Sequence, residues 1–300
     1  MQLQVLGTAA GGGIPQWNCA CPGCAGARAR PHLRRRHASL AVRAAEGRWY
    51  LVNATPDLGD QVEDCPALHP GPAARQTPLA GVVLTDAELD HTLGIARLRE
   101  ADDLQIVATA PVRGALLDQL RLGAVLAPYT TVRWRDLTPD PQPLDAEAES
   151  DLEISAVPLS AKRPRYAVGT GPDADTWVVA LRLHDRTNHT TAVYAPALGV
   201  WPDALQEAVD EADCVIIDGT FWDEDEPIRT GISQRTATGM GHLPIDGPDG
   251  TARRLAPLAA RCLYTHLNNT NPLVDPEAPQ HKQLAEWNLE VAADKTVIEL

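Results

Sequence analysis

The 300-residue chain has no run of about 18 or more apolar residues, so no membrane-spanning helix is expected. Its first residues, Met1-Gln2-Leu3-Gln4-Val5-Leu6, lack the basic start and long apolar stretch of a secretory leader. They read as a first strand, and the cytoplasm is the expected location. Positive charge is scarce: 26 Lys+Arg against 40 Asp+Glu leave a formal net charge of −14, which disfavours nucleic acid as a partner. The basic runs 28–30 and Arg34-Arg35-Arg36 are short and read as solvated surface. No composition shift divides the chain, and no repeat recurs at a solenoid period. One domain over 1–300 is therefore expected, with 138–151 as an exposed linker and 239–250 as a second loop.

Disulfides are not needed to hold such a chain, because 44% hydrophobic residues supply a core. Cys65, Cys214 and Cys262 are scattered, the last two beside apolar runs. Thiols in such places act as small buried hydrophobes, and a reducing compartment fits them. Short β-type runs recur at 2–6, 39–42, 49–52, 81–84, 105–108, 152–157, 177–183, 191–194, 214–217, 262–264 and 297–300. Helix-like windows at 111–122 and 203–211 lie between them. The alternation predicts a layered α/β architecture whose sheets are covered by helices.

Two clusters carry chemistry. Cys19-Ala20-Cys21-Pro22-Gly23-Cys24 places three thiols within six residues of a turn. Zinc takes such ligands and wants four in a structural site, so a remote residue, most simply a histidine, must complete it. A redox dithiol or three free thiols are the alternatives. The second cluster follows the run 81–84: Thr85-Asp86-Ala87-Glu88-Leu89-Asp90-His91 offers four potential ligands in six residues at a strand end. That density suits a catalytic metal; the alternative is an acidic helix cap with an incidental His91. Asp218 and His266 each follow a further apolar run and supply remote partners. His242 lies in a flexible loop and could reach either metal. His32, His37, His69, His184, His189 and His281 read as ordinary surface or loop residues.

Several segments together resemble the pyrroloquinoline quinone biosynthesis protein B family. They are Gly7-Thr8-Ala9-Ala10-Gly11-Gly12-Gly13 with Pro15-Gln16-Trp17-Asn18-Cys19, then Asn53-Ala54-Thr55-Pro56-Asp57-Leu58, then Asp90-His91. Met240-Gly241-His242-Leu243-Pro244-Ile245 and Thr265-His266-Leu267-Asn268-Asn269-Thr270-Asn271-Pro272 complete the set, in order and over nearly the whole chain. The resemblance implies a metallo-β-lactamase fold, an αββα sandwich with its metal site at one edge of the sheets. A more distant likeness to cyclic-phosphate phosphodiesterases of phosphonate metabolism implies a structural zinc held by Cys19, Cys21, Cys24 and His242.

The chain departs from the wider superfamily's H-x-H-x-D-H motif. Asp86 and Glu88 stand at the two leading histidine positions, while Asp90 and His91 remain. No histidine occurs near Val157-Pro158-Leu159-Ser160, and Ala195-Pro196-Ala197 stands where a bridging aspartate belongs. What survives is Asp90, His91 and His266. Two imidazoles and one carboxylate with open positions are the pattern of non-haem Fe(II) oxygenases. Glu88 and Asp218 are expected as further ligands or as groups that orient them; Asp86 as a loop cap.

The family resemblance implies an iron- and dioxygen-dependent hydroxylase acting on the tyrosine ring of a cross-linked Glu–Tyr diamino acid derived from a precursor peptide. Other proteins of the pathway are the implied partners. Two rivals stand beside it: a metal-dependent hydrolase of the phosphodiesterase type, and a carrier of the quinone or its precursor.

Overall fold

The computed structural model describes residues 1–148 and 150–300. Two seven-stranded sheets lie face to face. The first contains β1 (Gln2–Gly7), β2 (Ser39–Ala45), β3 (Arg48–Val52), β4 (Leu79–Val83), β5 (Asp103–Ala108) and β6 (Thr131–Asp136). The second contains β7 (Gln142–Pro143), β8 (Leu152–Ser160), β9 (Val178–Asp185), β10 (Thr190–Ala195), β11 (Cys214–Asp218), β12 (Arg261–Thr265) and β13 (Leu289–Val291). β14 (Val297–Glu299) returns from the C-terminus to flank β1.

Each sheet begins as antiparallel hairpins and ends as parallel strands. β1, β2 and β3 pair antiparallel, then β3 to β6 run parallel. β7 to β10 pair antiparallel, then β10 to β13 run parallel.

Alternation along the strands sorts side chains into three apolar layers. Leu40 and Val42 of β2 face the second sheet, where they meet Leu181, Tyr194 and Ile216, whereas Ala41 faces the outer helices. In β11, Cys214 and Ile216 point between the sheets, and Val215 and Ile217 point outward. Strands buried on both faces read as unbroken apolar runs, as 214–217 does. Leu58, Ile95 and Leu116 cover one outer face, and Leu205, Val209 and Leu255 cover the other. The architecture is the αββα sandwich that the resemblance implies. No helix among the described residues is long and apolar enough to cross a membrane.

Three expectations need correction. The stretch 138–151 is not a free linker over its described part: Leu144 and Asp145 are fully buried, and β7 pairs with β8. Glu149 lies outside the described residues. The window 111–122 is not one helix; Ala110–Gly114 widens into Ala115–Gln119, and Arg121 adopts φ 54° before Leu122–Leu126 begins. Strands β6, β7 and β13 have no unbroken apolar run in the sequence to mark them. β6 is hidden because Arg133 and Arg135 interleave with Val132 and Trp134 at the exposed edge of the sheet.

Behind the loop that follows β12, Glu226 is buried with its carboxylate accepting from Trp222 N (2.6 Å) and Thr270 Oγ1 (2.6 Å). Burial pushes its carboxyl up to about 7. The unfolded chain ionises Glu226 above its ordinary value of 4.5, while the folded chain holds the proton until about 7. Stability is therefore lost as pH rises through that window, by on the order of 3 kcal/mol. Glu226→Gln is expected to flatten this slope in denaturant titrations between pH 5 and 8. Equal slopes in variant and parent would contradict the assignment.

Candidate metal centre

The parallel strands of both sheets deliver their C-terminal ends to one edge of the sandwich, and the loops there build a cleft of about 1030 Å³. After β4, Thr85 turns the chain into the helix Leu89–Thr92, which carries Asp90 and His91. Gly94 lets that helix approach the loop after β3: a Cβ there would lie 2.1 Å from Thr55 O. β11 ends at Asp218 and β12 at Thr265, so Asp218 and His266 enter from the second sheet. The glycine loop after β1 closes the floor, where a Cβ on Gly11 would sit 3.1 Å from Asp90 Oδ2.

Asp90, His91 and His266 converge. His266 Nε2 lies 3.3 Å from Asp90 Oδ2, and His91 Nε2 lies 3.8 Å from the same oxygen. The two rings stand edge to face at 5.4 Å. Their remaining nitrogens are committed elsewhere. His91 Nδ1 is 2.7 Å from Asp86 Oδ2, and His266 Nδ1 is 2.8 Å from Thr220 Oγ1. The Thr220 hydroxyl donates to Asp218 Oδ1 at 2.6 Å, so it accepts from His266 Nδ1–H. Both imidazoles thus turn an Nε2 toward Asp90, as ligating histidines held by outer partners do. His91 Nε2 is buried with no hydrogen-bond partner among the described residues. A buried ring nitrogen left without a partner, beside a carboxylate and a second imidazole, fits a place where one cation could displace its proton.

The charges agree. Burial alone would lower the His91 imidazole, but the carboxylates of Asp86 and Asp90 outweigh it and carry the group to about 9. Burial would raise the Asp90 carboxyl, yet the charge on His91 and the adjoining His266 hold it well below the usual range. His266 is shifted down, chiefly by burial, and stays neutral. The site wants positive charge, and a proton on His91 supplies it until a metal does.

The backbone pays for this convergence in strain. His266 sits at φ 59° and Asn53 at φ 65°, both left-handed. His266 is pinned on either side by Leu267 N to Thr8 O (2.8 Å) and Asn268 N to Thr220 O (3.0 Å). Buried Asn53 accepts from Thr85 N (3.0 Å), and Thr85 Oγ1 contacts Asp86 Oδ2 (3.0 Å).

Glu88 lines the cleft, where burial and the Asp86 charge raise its carboxyl, but it does not join the three converging ligands. Asp86 does more than cap its loop, since it holds His91. Asp218 is fully occupied: its oxygens accept from Leu198 N, Thr220 N, Thr220 Oγ1 and His242 Nδ1 at 2.6–2.9 Å. It orients rings rather than offering a free oxygen. Cys19, Cys21 and Cys24 come together as a ligand group, with Cys24 wholly buried.

His242 is the main correction. It does not approach the cysteines but stands at the cleft, its Nδ1 2.6 Å from Asp218 Oδ2 and its ring stacked on His266 at 5.6 Å. The loop is drawn there by Leu243 N bonding Leu198 O at 2.6 Å. His37 is also no surface residue: it pairs with Asp57 at 3.1 Å and packs against Gly13, bracing the glycine loop. Thr220 and Asn53 carried no signal beyond their place in a motif or after a strand.

The cysteine loop also fits a cation. Burial, with the neighbouring Cys21 and Cys19, pushes the Cys24 thiol up to about 11, against the backbone N–H of Gln16. Burial opposes ionisation of Cys21 as well, but N–H groups of Cys24 and Asn269 hold it below its ordinary value. Three sulfurs this close become thiolates together only around a metal.

Residues 48–267 match the family model of the beta-lactamase superfamily domain. "Coenzyme PQQ synthesis protein B" of Azoarcus sp. (strain BH72) is 38% identical over the full length of both chains. That of Cupriavidus necator is 39% identical over 99% of each. The chain belongs to this family. Within it, the Zn(2+)-bound PqqB from Methylobacterium extorquens superposes over both whole chains with a TM-score of 0.89 at 28% identity. A diphosphatase of the PhnP family shares the metallo-β-lactamase fold at a TM-score of 0.70 and 18% identity, over 100% of this chain and 97% of that one.

Proposed function

We propose that the protein acts in coenzyme PQQ synthesis as an iron- and dioxygen-dependent hydroxylase, with a structural zinc in the cysteine loop. The observation that carries the reading is the convergence of one carboxylate and two Nε2 atoms on a single point beside a large cleft. Iron held by Asp90, His91 and His266 would supply the activation of dioxygen for ring hydroxylation. A second metal position, as hydrolases of this fold use, finds poor support. Asp218, His242 and His266 do lie within reach of one another. But His266 has one nitrogen free, already turned to Asp90, and Asp218 has its oxygens filled.

The protein's own residues supply position and protons. His242, with Nδ1 held by Asp218, leaves Nε2 for the cleft, where it accepts a proton from a phenol or from the ring carbon being substituted. Lys162 and Arg235, which bond Met240 O and Gly239 O on the loop bearing His242, bring positive charge to the rim, and Arg165 adds to it. On a chain of net charge −14, such a rim suits a small substrate with several carboxylates, as a Glu–Tyr diamino acid has. Tyr166 offers aromatic surface for its ring.

His242→Ala is expected to lower kcat by about 10²–10⁴ while zinc and iron contents stay unchanged. Zinc loss in that variant would restore His242 to the cysteine site. The function itself is tested by aerobic incubation of the iron-loaded protein with the Glu–Tyr diamino acid. Dioxygen uptake with a product heavier by oxygen supports hydroxylation. Tight binding without uptake points to a carrier, and release of a hydrolysed product points to a hydrolase.

A further inference from the structure

The basic run 34–36 is not all solvated surface. Arg34 is exposed, but Arg35 and Arg36 are half-buried in a pocket of about 580 Å³ on the far side of the glycine loop from the metal cleft. Arg34, Arg35, Arg36 and Lys295 line it against three carboxyls, and each carboxyl is already engaged. Asp64 pairs with Lys295 at 3.0 Å and with Arg36 at 3.5 Å, and Asp57 pairs with His37 at 3.1 Å. Asp294 accepts from Thr8 Oγ1 at 2.6 Å and from Arg36 N at 2.7 Å, and burial pushes its carboxyl up. Arg35 forms no ion pair among the described residues. We propose that this pocket binds a small organic monocarboxylate, gripped by the guanidinium of Arg35.

The guanidinium is held ready for such a ligand. Arg35 Nη1 donates to Thr8 Oγ1 and to Ala292 O, both at 2.9 Å, which commits that nitrogen and fixes the plane of the group. Nε and Nη2 have no acceptor among the described residues. Their two parallel N–H groups match the two oxygens of a carboxylate. Burial opposes the charge on Arg35 and lowers it from its ordinary value, so an incoming anion offsets a cost the fold already bears. Against three carboxyls, the four Arg and Lys side chains leave one positive charge in excess, which one carboxylate neutralises. Ile14, Pro15 and Pro31 add an apolar wall, which suits a ligand whose body is a ring or a short hydrocarbon.

The pocket also touches the floor of the metal cleft. Arg35 N donates to Ile14 O at 2.9 Å, and Arg35 O accepts from Ile14 N at 3.2 Å, so the end of the glycine loop is tied to the residue that would hold the anion. Gly12 lines both cavities. The loop is thus a shared wall, and a ligand behind it braces the stretch that lies against Asp90.

Benzoate is the probe, with benzamide as its neutral counterpart and inorganic phosphate as the competing anion. In amide NMR titrations benzoate should shift Ile14 and Lys295, and benzamide at the same concentration should not. Phosphate should bind at least about tenfold more weakly, since it lacks the planar match. Arg35→Lys keeps the charge but loses the fork, and should weaken benzoate at least about tenfold. The parent protein co-crystallised with 4-bromobenzoate gives a reading that needs no variant: the bromine should appear in anomalous maps beside Pro15 and Pro31. Shifts confined to Gly239 and Gly241 would put the probe in the metal cleft and overturn the proposal. Equal binding of benzamide or phosphate, full affinity in a folded Arg35→Lys protein, or no binding of benzoate would overturn it as well. Hydrogen exchange across 11–14 should slow when benzoate is bound; unchanged exchange would overturn the link to the cleft. No metal and no turnover enter these measurements, so failure of the hydroxylase reading would be seen separately.

Discussion

Replacing His266 by asparagine is expected to weaken ferrous binding by more than about 100-fold and to abolish turnover. Loss of an outer partner of a metal ligand costs about 10–100-fold, and a ligand itself should cost more. Asparagine is the informative choice because it tolerates the left-handed backbone at φ 59° that His266 occupies. Its shorter side chain cannot reach the point where His266 Nε2 meets Asp90 Oδ2. His266 is held neutral by burial, so its removal strands no charge. His91→Ala is a poorer probe, since Asp86 is buried and would lose its partner, a loss worth about 3–5 kcal/mol for a buried pair. Anaerobic ferrous titration with far-UV circular dichroism checks both halves of the expectation. Wild-type affinity in a folded His266→Asn protein would remove His266 from the site.

Zinc removal carries the second large effect, this time on stability. Structural zinc binds with about 10–16 kcal/mol in small peptides at neutral pH. If only about 4 kcal/mol of that is coupled to unfolding of this larger chain, Tm falls by roughly 10 °C. The loop's own contacts argue for a sizeable share. Cys21 Sγ caps the helix Pro22–Ala29, Cys24 is wholly buried, and Arg28 reaches back to Cys19 O and Gln16 O. Cys24→Ala should show the lowered Tm in the presence of zinc, and the parent protein should show it only after chelation. A Cys24→Ala variant that melts with the parent would leave no structural role for the site.

The chemistry-bearing positions were legible where composition is unusual. Four ligand-type side chains in six residues after an apolar run, and three cysteines in six, have few ordinary explanations. The buried parallel strands were legible too, because unbroken apolar runs such as 214–217 leave little choice. What escaped is what packing decides. His242 follows a glycine-rich turn whose direction is set by a bond to Leu198 and a carboxylate on β11, neither visible in spacing. His37 has the sequence setting of an ordinary loop histidine, and only the fold brings Asp57 and Gly13 against it. The stretch 138–151 has the composition of a linker, yet Leu144 enters the core between the sheets.

The central claim, one redox-capable ion held by two imidazoles and one carboxylate, is tested most directly by anomalous scattering at the iron and zinc edges. Crystals of protein reconstituted anaerobically with both metals are expected to show a single iron peak among Asp90, His91 and His266, with zinc confined to the cysteine loop. Two zinc peaks in the cleft, one of them against Asp218 and His242, would contradict it.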